Sequence, residues 1–479
     1  MLSPIMIRYA YCITFLPVFA ICVYKIHFLF TFLGVYSIMI VRKRKRGDFV
    51  VKTKKKQEKL SAFCRRLQWP EFLRALPILA KWLLIAGMVG LIVGFVASGF
   101  GHALIFANQL RAKWPWLVLG LPVGGLVIVF LYRVSKNHDD RGTNTIVASI
   151  QESSEIPFKM APLIFVSTVI TQLFGGSAGR EGAALQLGGS IAKKLGKLIR
   201  LGQNDQRTII MCGMSAGFSA LFGTPLAAAI FSLEVVSVGI MHYSALVPCV
   251  TAALIAHFVA DFCQIPPEVF PVSIVPAMDI VSFLKIVAFA VAVGGASVLF
   301  CVILHKGEHA YEKYIKNPYL RIVLGGILVA GLAALMGTGV YLGSGMGIIE
   351  EILHHGHKTD WYTFLLKMIF TMLTLGAGFK GGEIVPSLCI GAALGSICAT
   401  ALGLPMELVA ACGMAGLFCG VTNAPISSLL LAFELFGYEG MPYYLVTVAV
   451  SFLVSGCHSL YKRQKIVFSK THTSYQTQE

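Results

Sequence analysis

The chain has little charge. Asp, Glu, Lys and Arg make up 13% of its 479 residues, too few to clothe a water-soluble fold of that length. It has no Cys-x-x-Cys pair, and its 12 cysteines are scattered, most of them in apolar runs (Cys212, Cys249, Cys301, Cys389, Cys412). That is the small-hydrophobe use of cysteine and excludes a disulfide framework. The apolar–polar alternation of membrane β-strands is missing. The first 41 residues are apolar, broken by Arg8 and Lys25, and offer no clear small-residue cleavage site. A removable signal peptide is therefore not expected; a span, a hairpin or little structure all remain open. Ser177, in Gly175-Gly176-Ser177-Ala178-Gly179, has no helical His with a partner acid at matching depth. A nucleophile without a base is no site, so no enzyme is read here. The metal-like cluster His354-His355-Gly356-His357, with Glu350, Glu351 and Asp360, has loose spacing in a polar connection. It reads as a solvated loop, and neither metal nor cofactor is expected.

What the chain has is apolar surface. Hydrophobic residues are 56% and mean hydropathy is +0.75. Apolar stretches recur from 76–99 to 442–457, several shorter than the roughly 20 residues of a span or split by Gly and Pro. Short or broken helices at membrane depth survive only inside protein or along a wet cavity, so a crowded bundle with half-helices is expected. The net charge of +17 is uneven: Arg42 to Arg66 holds 12 basic residues against Asp48 and Glu58. This reads as a cytoplasmic flank obeying the positive-inside rule, facing membrane lipid and not nucleic acid. It suits an amphipathic surface helix from Gln68 to Trp82 before the first core span.

The apolar part repeats itself. Gly179-Arg180-Glu181-Gly182 opens one apolar helix, and Gly381-Gly382-Glu383-Ile384-Val385-Pro386 opens another. Cys212-Gly213-Met214 recurs as Cys412-Gly413-Met414, Pro225 as Pro425 and Glu234 as Glu434. Two copies of a membrane unit, each broken by Gly and Pro, point to a transporter with its ion site between the halves. The fold class is all-α integral membrane, with two inverted-topology repeats and broken half-helices. The expected layout is an apolar segment plus basic flank at 1–70, repeats at 71–265 and 266–465, and a polar tail at 466–479.

The two glutamates carry the chemistry. Free N–H groups at helix N-termini hold an anion where the dipole is positive, and glycine lets the backbone approach. A carboxylate at such a place competes with a mobile anion; once protonated it lets go and has carried a proton. One such Glu is ordinarily a dipole-stabilised helix end, but two at matched places read as functional. Gln186 and Ser190 read as packing or interhelical hydrogen bonds. Glu234 and Glu434 read as buried carboxylates bonded to the neighbouring half. Arg180 either draws anions to the outer mouth or pairs with a carboxylate.

Gly179-Arg180-Glu181-Gly182 followed by Gln186-x-Gly188-Gly189 resembles the gating-glutamate motif of the ClC family of anion channels and proton-coupled antiporters. The 381–386 motif, followed by Gly391-x-x-x-Gly395, resembles that family's second anion motif, and Leu460-Tyr461 its pore tyrosine. The resemblance runs from about 75 to 465. It implies a homodimer with one pore per subunit, Glu181 as external gate and proton carrier, and halide anions and protons as cargo. It implies anion-binding positions at Thr143, Asn144, Gly182, Ala183, Glu383, Ile384 and Tyr461. No nucleotide-sensing domain is expected after Lys465.

Departures matter. Where the family's first motif usually reads Gly-Ser-Gly-Ile-Pro, this chain reads Gly142-Thr143-Asn144-Thr145-Ile146. Ala183 replaces the proline of the gating motif. Val235 stands where chloride/proton antiporters carry an inner proton-relay Glu. Together with Glu383, which has a proton or anion role, these resemble the fluoride/proton branch; Val385, where that branch often has Thr, does not. The expected activity is proton-coupled antiport of fluoride or chloride in a cell membrane. A passive channel of the same fold is the alternative, and a membrane scaffold or receptor a distant one.

Overall fold

The computed structural model describes residues 69–136, 142–152, 154–468 and 470. The first 41 residues, the basic flank and most of the polar tail, on which several of these expectations fall, lie outside the described residues. The chain divides after Ile78 into two compact units. Of the first, only residues 69–78 are described, and they are helical. The account below concerns the second, from Leu79 onward.

Helix α1 (Trp69–Lys113) is continuous. The expected separate surface helix at 68–82 is not found. Leu83, Leu84 and Ile85 carry the apolar run straight on, with no glycine or turn residue to stop it, and Pro77, which lacks a backbone donor and crowds the carbonyl four residues back, does not end the helix. A 3-10 turn (Pro115–Gly120) leads to α2 (Leu121–Val134), α3 (Thr143–Glu152), α4 (Met160–Leu173), α5 (Glu181–Leu198), α6 (Gln203–Phe222) and α7 (Pro225–Glu234). Strand β1 (Ser237–Val238) and α8 (Leu246–Phe262) follow. After a linker come α9 (Ile280–Tyr314), α10 (Pro318–Met336), α11 (Met346–Leu353), α12 (Thr363–Gly376), α13 (Ile384–Leu402), α14 (Met406–Thr422), α15 (Pro425–Phe436), α16 (Met441–Val454) and β2 (Lys465–Ile466). Among the described residues, 6 segments are long and apolar enough to cross a membrane; α4, α7, α12, α14, α15 and α16 are shorter. Leu84, Phe258 and Leu335 project from the long helices as exposed apolar side chains, as lipid contact requires.

Two glycine crossings fix the core. A Cβ on Gly188 of α5 would lie 2.0 Å from the Gly213 carbonyl oxygen of α6, and one on Gly213 2.2 Å from that of Gly188. The second half repeats this: a Cβ on Gly391 of α13 would lie 2.3 Å from the Gly413 oxygen of α14, and one on Gly413 2.2 Å from that of Gly391. The helices touch backbone to backbone, the packing that small residues permit in a membrane.

The helix ends repeat as well. Gly223 (φ 74°) and Asn423 (φ 57°) end α6 and α14 in the left-handed conformation, and Pro225 and Pro425 open the next helices. Each following helix carries in its last turn a glutamate that caps its counterpart. Glu234 accepts from the amides of Ile426 (3.1 Å) and Ser427 (2.9 Å) and from the Ser427 hydroxyl (2.5 Å). Glu434 accepts from the amides of Leu226 (2.9 Å) and Ala227 (2.8 Å). This reciprocity is that of an all-α membrane protein built from two inverted repeats with broken half-helices. The end of the described chain is tied to the first half: β2 pairs in parallel with β1, Ser237 opposite Lys465 and Val238 opposite Ile466.

Candidate functional site

Three helix N-termini meet between the halves: those of α3, α5 and α13. The two glycine turns before α5 and α13 are joined by an antiparallel bridge. Gly179 N donates to Gly382 O at 2.7 Å and Gly382 N to Gly179 O at 2.8 Å. A Cβ on Gly382 would lie 2.6 Å from the Gly182 nitrogen, so glycine is what lets the second turn close on the first turn of α5.

Glu181 is 0% exposed. Its Oε2 accepts from the Arg180 amide at 3.0 Å and, across the repeat, from the Val385 amide at 3.4 Å. The carboxylate thus lies on the N-terminus of α13, where orphan amides and the positive dipole end favour negative charge. Its Oε1 has no hydrogen-bond partner and lies 3.7 Å from Arg180 Nε. The Arg180 guanidinium also pairs with Glu268 and donates to Leu221 O at 3.2 Å.

Glu383 is the N-cap residue of α13, and its side chain makes no capping hydrogen bond. Its Oε2 is buried without a partner, as are the Tyr461 hydroxyl and Gln186 Oε1. Tyr461 is within electrostatic reach of both Glu383 and Glu181. Buried polar atoms nearly always find partners, so four partnerless ones around two helix N-termini mark a place built for polar cargo. Thr143 Oγ1 makes only long contacts, to Gly182 O at 3.5 Å and from Gln186 Nε2 at 3.4 Å. Asn144 faces elsewhere: its Oδ1 accepts from the Arg463 amide at 3.1 Å. Gly182, Ala183 and Ile384 contribute first-turn amides of α5 and α13, which have no carbonyl four residues back inside their helices.

A cavity of about 1090 Å³ reaches this place from one side. It is lined by Glu383, Asn144 and Gln186, and by Lys380, Lys462 and Arg463 among other charged residues. Glu181 is not part of its wall. Glu308 forms an ion pair with Lys462 at 2.5 Å beside it. Val235 is 1% exposed, and its carbonyl accepts from Gln464 Nε2 at 2.9 Å. Neighbouring Glu234 is fully used in capping α15.

Two residues passed over in the sequence belong here. Glu268, from the linker after α8, reaches Arg180. Lys367, on α12, is 0% exposed, and its ammonium donates to Ser177 Oγ (3.0 Å), Tyr341 O (3.1 Å) and Gly343 O (2.8 Å). A lone Lys inside the apolar stretch 361–376 was the available signal; a Glu in a linker gave none. The histidine-rich turn is separate and exposed, with His357 Nδ1 2.7 Å from Glu351. Among the described residues no group of three His, Cys, Asp or Glu is placed to hold a metal.

Bridged half-helices bring two carboxylates with buried oxygens together between the inverted repeats of a membrane protein. Residues 123–456 match the family described as voltage gated chloride channel. The chain is 37% identical over 408 residues to a chloride/fluoride channel protein of Pseudomonas syringae pv. tomato, covering 84% of this chain and 90% of that protein. It is 25% identical over 402 residues to a voltage-gated ClC-type chloride channel of Escherichia coli, covering 78% and 95%. A crystal structure of a CLC-type fluoride/proton antiporter superposes with TM-score 0.78 at 34% identity, covering 81% of this chain and 98% of that one. A slow cyanobacterial Cl⁻/H⁺ antiporter shares the fold, with TM-score 0.68 at 21% identity and coverage of 78% and 94%. The chain belongs to the voltage gated chloride channel family and is a multi-pass membrane protein.

Proposed function

We propose that this ClC-type anion transporter exchanges a halide for protons, with fluoride as its main anion. The observation that carries the reading is the Glu181 carboxylate on the Val385 amide, a negative group where a mobile anion would lie. Protonation removes its charge and its claim on that amide, so one residue serves as gate and proton carrier. Glu383 is the second proton group. It lines the inner cavity, whereas the position of the chloride antiporters' inner acid is Val235, buried behind Gln464. Gly182, Ala183, Ile384 and the Tyr461 hydroxyl hold the anion between the carboxylates, with the Thr143 hydroxyl beside Gly182 and Asn144 on the cavity wall.

Fluoride is favoured by the solved fluoride/proton antiporter at 34% identity, by a relative at 37% named for both chloride and fluoride, and by the extra donors available. A small anion gives up its water only for strong replacement donors, and Thr143 and a protonated Glu383 add two. The basic flank holds the N-terminal end of α1 in the cytoplasm. α1 then runs outward and α2 returns, so the cavity beside Arg133 opens inward and Arg180 lies outward. The repeats span 71–265 and 266–465, and the working unit is a homodimer with a pore in each subunit, which mass photometry in lipid would read as a two-subunit mass. The selectivity test is efflux from liposomes loaded with potassium fluoride or potassium chloride, triggered by valinomycin with a proton carrier. Fluoride efflux at least as fast as chloride is expected. Chloride faster by about tenfold, roughly 1.4 kcal/mol in barrier, would overturn the fluoride assignment.

A further inference from the structure

Glu268 lies in the linker between α8 and α9 that joins the two halves. The linker is fastened on both sides: Glu268 N donates to Phe222 O at the end of α6 (3.4 Å), Phe270 N to Leu435 O (2.7 Å) and Val272 N to Phe436 O (3.0 Å) at the end of α15. The Glu268 side chain is 12% exposed and ion-paired with the Arg180 guanidinium. The same guanidinium is held by Leu221 O through Nη2 and offers Glu181 Oε1 only its Nε, at 3.7 Å. One cation therefore stands between two carboxylates, and the outer one has its better edge.

The consequence is electrostatic. A guanidinium beside a carboxylate favours the ionised form, and a second carboxylate on that guanidinium cancels much of this effect. Bidentate pairing is also the strongest geometry an Arg offers a carboxylate, and Glu268 keeps it from forming at Glu181. The charged and titratable groups facing Glu181 are Arg180 on its own turn, Glu268 from the linker and Tyr461 from the chain end, and Tyr461 in turn faces Glu383. Glu350 on α11 lies within electrostatic reach of Glu268. Of these, Glu268 reaches Glu181 both directly by its charge and by its hold on Arg180.

We propose that Glu268 is a positioning residue that holds Arg180 off the gate carboxylate and so sets the external pH at which Glu181 takes up its proton. The inference rests on Glu181 being the gate and proton carrier. With Glu268 in place the gate is protonated and released at a higher external pH. Without it Arg180 turns its full charge on Glu181, and the gate stays ionised and shut until the outside is more acidic.

The test is fluoride-driven proton movement in liposomes at a series of external pH values, for wild type, Glu268→Gln, Glu268→Asp, Glu181→Gln and the Glu181→Gln/Glu268→Gln double variant. Glu268→Gln is expected to move the half-maximal external pH down by about one unit, and Glu268→Asp to move it the same way by less. A purely structural role would lower the maximal rate and leave the midpoint in place. The double variant should match Glu181→Gln alone. An unchanged or raised midpoint in Glu268→Gln, while Glu181→Gln abolishes coupling, overturns the role of Glu268 only. Normal coupling in Glu181→Gln overturns the gate reading itself. If Glu268→Gln is not monodisperse, Glu268→Asp decides: no downward shift in it counts against the proposal.

Discussion

Glu234 and Glu434 cap each other's helices across the molecule. Glu234, at the end of α7, receives two amides and a hydroxyl from the start of α15, while Glu434, in the last turn of α15, receives two amides from the start of α7. Each satisfies orphan donors that the Pro-initiated helix opposite cannot pair internally. The two residues are a structural clasp, and the proton path of the proposed mechanism does not pass through them.

Removing either clasp should therefore cost stability before it costs selectivity. Glu434→Ala loses two charge-assisted bonds, roughly 1–3 kcal/mol by analogy with capping and buried-bond series. Glu234→Ala, which loses three bonds, should cost more. The measurement is the apparent unfolding midpoint in detergent, with the fluoride-to-chloride efflux ratio in liposomes as the second readout. A lower midpoint with an unchanged ratio is expected; a changed ratio with an unchanged midpoint would place these residues in the transport path.

The glycine crossings predict a sharp contrast between sites. Gly413→Ala puts a methyl 2.2 Å from a backbone oxygen, which no rotamer change relieves, so α13 and α14 must separate and monodisperse protein should be lost. Gly99→Ala, in α1 with nothing within 4 Å, should be neutral or stabilising by up to about 1 kcal/mol. Size-exclusion profiles of the two variants make the comparison.

Lys367 predicts a link between burial and gate geometry. Its ammonium ties Ser177, four residues before Glu181, to the 341–343 loop. Lys367→Met leaves these acceptors unpaired in a dry setting, at roughly 1–3 kcal/mol for each buried group left unsatisfied. The expected result is a lower unfolding midpoint together with slower transport. Unimpaired transport in Lys367→Met would show that the Ser177 turn keeps its position without it.

Much of the frame was legible because the repeat writes it twice. The offset of 200 positions from Cys212-Gly213-Met214 to Cys412-Gly413-Met414 and from Pro225 to Pro425 identified matching helix pairs, and glycines before Glu181 and Glu383 marked two helix starts. What stayed hidden was long-range pairing. Nothing local says that Asn144 spends its amide oxygen on Arg463, 319 positions away, or that Gln464 closes over Val235. The length of α1 was misjudged because an apolar run without caps has no mark for where surface ends and span begins. Glu268 was unreadable because a carboxylate in a polar linker looks solvated until the fold brings an arginine to it.

The central claim is that Glu181 is both gate and proton carrier, and fluoride-driven proton movement in Glu181→Gln liposomes tests it most directly. Gln keeps the shape of the protonated acid and removes the charge that competes for the Val385 amide. In wild-type liposomes an outward fluoride gradient should drive protons in the opposite direction, and in Glu181→Gln fluoride should cross while proton movement falls to the level of empty liposomes. Proton movement at the wild-type rate in Glu181→Gln would contradict the account.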